Sequence, residues 1–169
     1  EAALTAESPF HKRLKAYLDE RFPLPSHLSM VVIYFLANQF LAQVLGDPGA
    51  PLRIGWFTPV GMLFLFCIFF HLRVFDEHKD YSLDVIHYPN RILSRGLITL
   101  GHLKLLGGAA IVVEVACALL SGWSAVVAVG VTVAFSWVML HEFFVARWLR
   151  AHFILYAMAH MLIMPLMTA

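Results

Sequence analysis

Long apolar stretches, separated by short polar segments, make up most of this chain. An α-helix needs about 20 apolar residues to cross the hydrocarbon core of a bilayer. Backbone polar groups in lipid must be paired within their own segment, so such a stretch is helical. We therefore predict an all-α fold, a polytopic transmembrane helix bundle of about five spans, over residues 28–45, 54–72, 97–120, 123–145 and 153–167.

A shorter segment of mixed polarity precedes the first span. Between Ser8 and Arg21, apolar residues recur at helical spacing on one face, namely Phe10, Leu14, Tyr17 and Leu18. Ser8 can cap this helix, and Pro23 ends it. We predict an amphipathic helix within residues 1–25 and a transmembrane domain over 26–169. A solvated helix lying on the membrane is preferred to a helix that binds a partner.

The composition agrees with a membrane protein. The chain is 60% hydrophobic and 14% charged, whereas about a quarter of the residues in a soluble domain are charged. The formal net charge of +1 gives no electrostatic basis for nucleic-acid binding. Cys67 and Cys117 lie inside apolar stretches, which favours small buried hydrophobic residues over a disulfide or a metal pair.

The basic residues are distributed unevenly between the two sides that five spans would define. Of the 12 lysines and arginines, all but Arg53 fall on the side of the N-terminus, of the connector 73–95 and of the segment 146–152. Cytoplasmic loops carry the excess of Lys and Arg in membrane proteins. The pattern therefore predicts a multi-pass integral membrane protein whose N-terminus and acidic connector are cytoplasmic.

Four carboxylates are concentrated at the end of the second span. Asp76, Glu77, Asp80 and Asp84 lie within nine residues of sequence. On a helix, Glu77, Asp80 and Asp84 share one face, and Asp76 lies one turn before Asp80. Crowded carboxylates repel one another, and a cation relieves that repulsion. Mg²⁺ suits such oxygen ligands, and it commonly takes its remaining ligands from water and substrate phosphates.

Basic residues accompany these carboxylates. Arg73 lies one turn before Glu77, and Lys79, Arg91 and Arg95 are suited to phosphate oxygens. Carboxylates, a divalent cation and basic side chains together make a site for a lipid diphosphate. From the spacing alone, a metal site is no more favoured than a solvated charged loop that only marks the cytoplasmic side.

The same residues resemble a known motif. Asp76, Glu77, Asp80 and Asp84 are similar to the first aspartate-rich motif, NDxxDxxxD, of the UbiA superfamily of intramembrane prenyltransferases. Residues 89–98 (PNRILSRGLI) resemble the PxRPLxxGxI segment that follows it in that family. The two blocks cover about 25 residues, and the order of spans resembles the N-terminal half of the family fold.

The resemblance implies a prenyltransferase that binds an isoprenoid diphosphate through Mg²⁺ and transfers the prenyl group to a lipophilic, commonly aromatic, acceptor. It implies Glu77, Asp80 and Asp84 as catalytic residues, with Asp76 as a further metal ligand. The substrate-binding residues would be Arg73, Lys79, Arg91 and, on the first span, Asn38. Membrane lipids and other subunits of a membrane complex are further expected partners.

Some features depart from the family pattern. Ile92 replaces the usual proline, Asp76 replaces asparagine, and the sequence carries no second aspartate-rich cluster. The family has about nine spans, and five are predicted here. Two alternatives stay open: the chain is part of a longer enzyme, or it is a shortened, non-catalytic accessory subunit that reuses the scaffold.

Two polar residues inside the spans need separate consideration. Asn38 is suited either to contact a substrate or to form hydrogen bonds between helices, and the second role is favoured. Glu114 lies well inside the third span, where an ionisable group is costly and is usually functional or paired. Protonation of Glu114, or its pairing with a neighbouring histidine, is favoured as strongly as a functional role. The histidines show none of the spacings typical of membrane desaturases or zinc proteases.

Overall fold

The computed structural model describes residues 4–167, and within that range it is all-helical, with no β-strand. Its helices are α1 (Phe10–Arg21), α2 (Leu24–Gly46), α3 (Phe57–His87), α4 (Leu100–Ser121), α5 (Trp123–Leu140), α6 (Ala146–Ala151), α7 (Phe153–Met161) and α8 (Ile163–Leu166). A 3₁₀ turn, Glu142–Phe144, lies between α5 and α6. The predicted all-α class is confirmed.

Four helices, α2 to α5, are long and apolar enough to cross a membrane. The fifth predicted span, 153–167, is shorter, because α7 and α8 together form only about 21 Å of helix. The hydrocarbon core is about 30 Å thick. Pro165 has no N–H to donate to the carbonyl four residues earlier, and the helix is interrupted at Leu162. The described residues therefore contain four candidate spans and not five.

Two predicted span boundaries differ from the helix ends in the structure. The third span was predicted to begin at residue 97, but α4 begins at Leu100, where the Thr99 hydroxyl accepts a hydrogen bond from His102 N at 3.2 Å. The fourth span was predicted to reach residue 145, but α5 ends at Leu140. Beyond it, the backbone of Glu142–Phe144 is left-handed and cannot continue a helix.

The longest helix, α3, has 31 residues and is about 46 Å long. It therefore exceeds the thickness of the hydrocarbon core. The predicted second span and the start of the predicted polar connector belong to this one helix. Residues 73–87, which we name the polar end of α3, extend beyond the apolar part and carry the four clustered carboxylates.

Close contacts between helices depend on small residues. A Cβ atom on Gly107 of α4 would lie 2.9 Å from a methyl group of Val74 on α3. A Cβ atom on Gly61 of α3 would overlap the ring of Phe35 on α2. Lipid offers no hydrophobic driving force between helices, so such close packing contributes strongly to their association.

Helix α1 packs against the protein. Tyr17 is fully buried in a cluster with Val74, Leu97 and Leu103. The ring of Phe22, just after α1, makes edge contacts with Phe70 at a centroid distance of 5.2 Å. The sequence predicted a solvated helix lying on the membrane. In the structure, the apolar face of α1 instead packs against the protein, next to the polar end of α3.

Candidate functional site

The polar end of α3 carries the predicted site residues, and Glu77 is the most enclosed of them. Its side chain is 2% exposed. Arg21 at the end of α1 donates from Nε to Glu77 Oε1 at 2.6 Å, and Arg73 Nη1 lies 3.8 Å from the same oxygen. Removing an unpaired carboxylate from water is costly, so these guanidinium groups compensate the charge of Glu77.

Asp84 lies two turns further along the same helix. Arg91 donates from Nη1 to Asp84 Oδ2 at 2.5 Å, and Arg21 Nη2 lies 3.4 Å from the same oxygen. The guanidinium carbon of Arg91 also lies 3.7 Å from the centroid of the Tyr88 ring, a cation–π contact. Arg21 therefore bridges Glu77 and Asp84, the two acids that the sequence placed on one helical face.

Asp76 and Asp80 face a different neighbourhood. Lys79 donates from Nζ to Asp76 Oδ1 at 3.4 Å and to the hydroxyl of Tyr156, on α7, at 3.5 Å. Within residues 4–167, the Asp80 carboxylate has no hydrogen bond and no ion pair. Burial raises the pKa of Asp80 above its ordinary value, and although Lys79 opposes this, the charges of Asp76, Asp84 and Glu142 raise it further.

Helix α1 is held over this site by polar contacts as well as by its apolar face. Arg13 donates from Nη1 to the carbonyl of Leu97 at 2.9 Å, and Glu20 accepts from the backbone N–H of Ile92 at 3.3 Å. Burial raises the pKa of Tyr17, and the charge of Glu77 adds to that effect. No local pattern indicates that Arg21 reaches these acids, because Arg21 and Glu77 are 56 residues apart in the sequence.

The predicted metal ligands are of the right chemical type, since Mg²⁺ prefers carboxylate oxygens. Their arrangement differs from a ready coordination shell. Glu77 and Asp84 turn toward arginines and Asp76 turns toward Lys79. Among the described residues, no three His, Cys, Asp or Glu side chains are grouped so that they could hold a metal ion. A divalent cation would therefore have to displace internal ion pairs and recruit oxygens from its substrate.

A second feature borders the site and was not predicted. Glu142, Phe143 and Phe144 have φ angles of 48°, 55° and 59°, a left-handed conformation that is costly for residues other than glycine. Arg150 holds this turn through Nε and Nη2, which donate to both carboxylate oxygens of Glu142 at 2.8 to 3.2 Å. The sequence shows only an acidic residue eight positions before an arginine. That spacing is too common to predict an ion pair or a left-handed turn.

Asn38 forms no hydrogen bond to another helix in the part of the chain that the structure describes. It donates from Nδ2 to the carbonyl of Tyr34 at 2.8 Å, within its own helix. Its neighbours on α2 make the contacts beyond the helix instead: Gln39 donates to Thr58 Oγ1 at 3.1 Å, and Gln43 donates to the carbonyl of Arg53 at 2.8 Å. Asn38 lines an apolar cavity of about 300 Å³, and no contact within residues 4–167 joins it to the acids of α3.

Glu114 is paired, as one of the two sequence interpretations proposed. His71 Nδ1 lies 2.6 Å from Glu114 Oε1, and His71 Nε2 lies 3.1 Å from Ser136 Oγ. All three side chains are fully buried. Ser136 donates its hydroxyl proton to the carbonyl of Val133 at 2.8 Å, so it accepts from His71 Nε2–H. These polar groups connect α3, α4 and α5 in the interior of the bundle.

The fold and the site together define a class: a helical, multi-pass membrane protein with a densely charged, arginine-bridged acidic site at one end of its longest helix. Comparison with known protein families, with curated proteins and with solved structures found no match. The resemblance to the UbiA superfamily therefore depends on the quoted motifs alone.

Proposed function

We propose that this protein is a UbiA-like membrane prenyltransferase whose α3 site binds an isoprenoid diphosphate through Mg²⁺. The prenyl group would pass to a lipophilic, commonly aromatic, acceptor. The observation that carries the proposal is the concentration of four carboxylates and four basic side chains at one end of α3, where Asp80 forms no ion pair or hydrogen bond among the described residues. The carboxylates are Asp76, Glu77, Asp80 and Asp84, and the basic residues are Arg21, Arg73, Lys79 and Arg91.

The charge balance of this site supports binding of an anion together with a cation. Mg²⁺ would be held by Asp80 and by Asp84 or Glu77 once their ion pairs are exchanged. The diphosphate would then satisfy the released guanidinium and ammonium groups of Arg91, Arg73 and Lys79. When bound, Mg²⁺ would stabilise negative charge on the leaving diphosphate. The apolar part of α3 and its neighbours would keep water away from the prenyl group.

Binding of a donor analogue tests the proposal. The full chain in lipid nanodiscs should bind a non-hydrolysable farnesyl diphosphate analogue in a Mg²⁺-dependent manner, measured by isothermal titration calorimetry. Asp80→Asn should weaken that binding by on the order of tenfold or more, since Asp80 is the carboxylate most available to a metal. Asp47→Asn, an exposed acid in the loop after α2, is the matched control and should leave binding unchanged.

Arg91→Ala in the same assay separates the donor from the acceptor. It should weaken the diphosphate analogue far more than an uncharged aromatic acceptor, because Arg91 would contact phosphate oxygens. Equal effects on both ligands, or analogue binding that does not depend on Mg²⁺, would contradict the diphosphate site.

One observation favours a second candidate function, a non-catalytic accessory subunit of a larger membrane complex. Glu77, Asp84 and Asp76 are each paired with a cation from the same chain. A site that is balanced internally can serve to anchor α1 on α3 without any ligand. This candidate predicts no Mg²⁺-dependent binding of the diphosphate analogue at any metal concentration, which the calorimetric titration decides.

A further inference from the structure

An open groove lies between α3, α4 and α5 on a different face of α3 from the acidic residues. Its volume is about 370 Å³, within the size range of small-molecule sites. Phe75, Val74 and Leu140 give it apolar walls. The groove is near the end of the bundle that carries α1, because Lys104 in its lining is about 6 Å from the start of α4 at Leu100.

Two adjacent glycines form the floor of this groove and differ in their surroundings. Gly107 is pressed against Val74, where a Cβ atom would lie 2.9 Å from a methyl group. Gly108 faces open space, since no atom lies within 4 Å of the position its Cβ would take. The depth of the groove at this point therefore depends on the absence of a side chain at position 108.

The polar groups at the edge of the groove are donors. Within residues 4–167, neither Lys104 Nζ nor the indole N–H of Trp137 has a hydrogen-bond acceptor or an ion-pair partner, and no acidic residue lines the groove. His78 donates from Nδ1 to the carbonyl of Val74 at 2.8 Å. An occupant that supplies negative charge and acceptor oxygens would complement this edge.

We propose that this groove binds an anionic membrane phospholipid. An acyl chain would lie on Gly108 and along Phe75 and Leu140, and the phosphate would accept hydrogen bonds from Lys104 and Trp137. Basic groups between helices near a membrane surface commonly bind anionic head groups, and tryptophan favours the same depth. The site is separate from the acidic face of α3, so the proposal does not depend on prenyl transfer.

A second groove between α4 and α5 provides a matched comparison. Its volume is about 230 Å³, and its lining is aliphatic throughout, from Ile111 and Val115 to Gly130. Gly130, like Gly108, has no atom within 4 Å of its Cβ position. Because it has no basic group, this second groove should accept acyl chains without preference for the head group.

Native mass spectrometry of the full chain, exchanged into equal mixtures of phosphatidylglycerol and phosphatidylcholine, tests the proposal. The wild type should retain phosphatidylglycerol preferentially, and about one lipid per chain should stay bound after collisional activation in the gas phase. Lys104→Gln should lower that preference by on the order of fivefold, and Gly108→Leu should displace the lipid by filling the groove. The controls Lys12→Gln, an exposed lysine of α1, and Gly130→Leu should retain the wild-type preference.

Several results would overturn the proposal. The wild type could show no preference between the two lipids, or Gly130→Leu could remove phosphatidylglycerol as effectively as Gly108→Leu. Glycerol phosphate in place of the lipid should not bind measurably; if it does, the groove binds a free phosphate ester and not a membrane lipid. Thermal unfolding of each variant distinguishes lost lipid from lost fold, and Lys104→Gln decides the outcome if Gly108→Leu is unstable.

Discussion

At the scale of single residues, the unpaired charge of Asp80 is the most informative feature of the site. Its neighbours Asp76 and Asp84 each form an ion pair with a cation from the same chain, whereas Asp80 forms none within residues 4–167, and only the charge of Lys79 acts on it favourably. Because its pKa is raised in the folded chain, the ionised form of Asp80 opposes folding. The stability associated with its protonated form is therefore present at acidic pH and lost as the pH rises through the raised pKa.

Because the ionised carboxylate of Asp80 opposes folding, its removal should stabilise the protein at neutral pH. Without divalent cations at pH 7.5, Asp80→Asn should raise the Tm by on the order of 2 °C. The difference should disappear below the ordinary aspartate pKa of 3.8, where Asp80 is protonated in both the folded and the unfolded chain. Differential scanning fluorimetry in detergent measures both values, with Asp47→Asn as the control. A variant that is less stable than the wild type at pH 7.5 would show that Asp80 has a stabilising partner.

The combination of this result with the binding assay is diagnostic. If Asp80→Asn is more stable but binds no diphosphate analogue, the charge is retained at a cost for a ligand, as is common at functional sites. If it is more stable and the wild type does not bind either, the accessory-subunit interpretation is favoured.

Glu114 shows how far sequence reasoning reaches for a single residue. An ionisable group inside a predicted span has to be paired or protonated, because lipid does not solvate its charge. The sequence therefore predicted protonation or a histidine partner, as the alternative to a functional role. It could not select His71 from nine histidines, because the choice depends on the depth and rotation at which α3 and α4 pack.

At the scale of secondary-structure elements, α1 depends on Arg21 to remain over the polar end of α3. Arg21→Ala would leave the longer contact to Arg73 as the remaining ion pair of Glu77 among the described residues, although Glu77 is only 2% exposed. Breaking a buried pair by removing one partner is strongly destabilising, by about 3–5 kcal/mol. We expect α1 to be cleaved by trypsin at least tenfold faster in Arg21→Ala than in the wild type.

Lys15→Ala is the matched control for this experiment. Lys15 pairs with Asp19 on the outer surface of the same helix, where both side chains are more than half exposed. Such exposed pairs contribute little to stability. Cleavage of α1 at the wild-type rate in Arg21→Ala would mean that apolar packing of Tyr17 alone fixes the helix.

The left-handed turn after α5 is a second element with a measurable cost. Phe144 has a φ of 59° and is 66% exposed, so its side chain buries little to offset the backbone strain. Phe144→Gly should therefore be neutral or stabilising, by up to about 1 kcal/mol, because glycine adopts this conformation freely. Leu140→Gly, at the end of α5, should instead destabilise by about 1 kcal/mol. Chemical denaturation in mixed micelles measures the change in the free energy of unfolding for both variants. A strongly destabilised Phe144→Gly would show that the ring contacts of Phe144 with Trp137 and His141 outweigh the backbone strain.

At the scale of the whole molecule, the arrangement of the spans predicts which ends share a side of the membrane. Helices α2 and α3 are consecutive spans, so α1 and the polar end of α3 lie on one side and the loop 47–56 lies on the other. In a background without Cys67 and Cys117, His11→Cys and Ser82→Cys should be labelled from the same side by an impermeant maleimide. Ala50→Cys should be labelled only from the opposite side. Labelling of all three positions from one side would contradict the crossing of α2 or α3.

The sidedness itself remains a prediction from the basic residues. Positions 11 and 82 are expected to face the cytoplasm, since 11 of the 12 basic residues fall on their side under the five-span assignment. Shortening of the fifth predicted span does not affect this expectation for α1 and α3, because both precede it. Labelling in spheroplasts and in inverted vesicles tests it directly.

The sequence by itself determined the helical class, the approximate position of four spans and the clustering of the four acids at one end of α3. These properties follow from local periodicity and hydropathy, which are complete within each segment. Only the tertiary structure decided that Arg21 bridges Glu77 and Asp84, that His71 pairs with Glu114, and that Gly108 and Lys104 share a groove. Such pairings join residues that are distant in sequence, and they depend on the rotation and depth at which helices pack, which no single segment encodes.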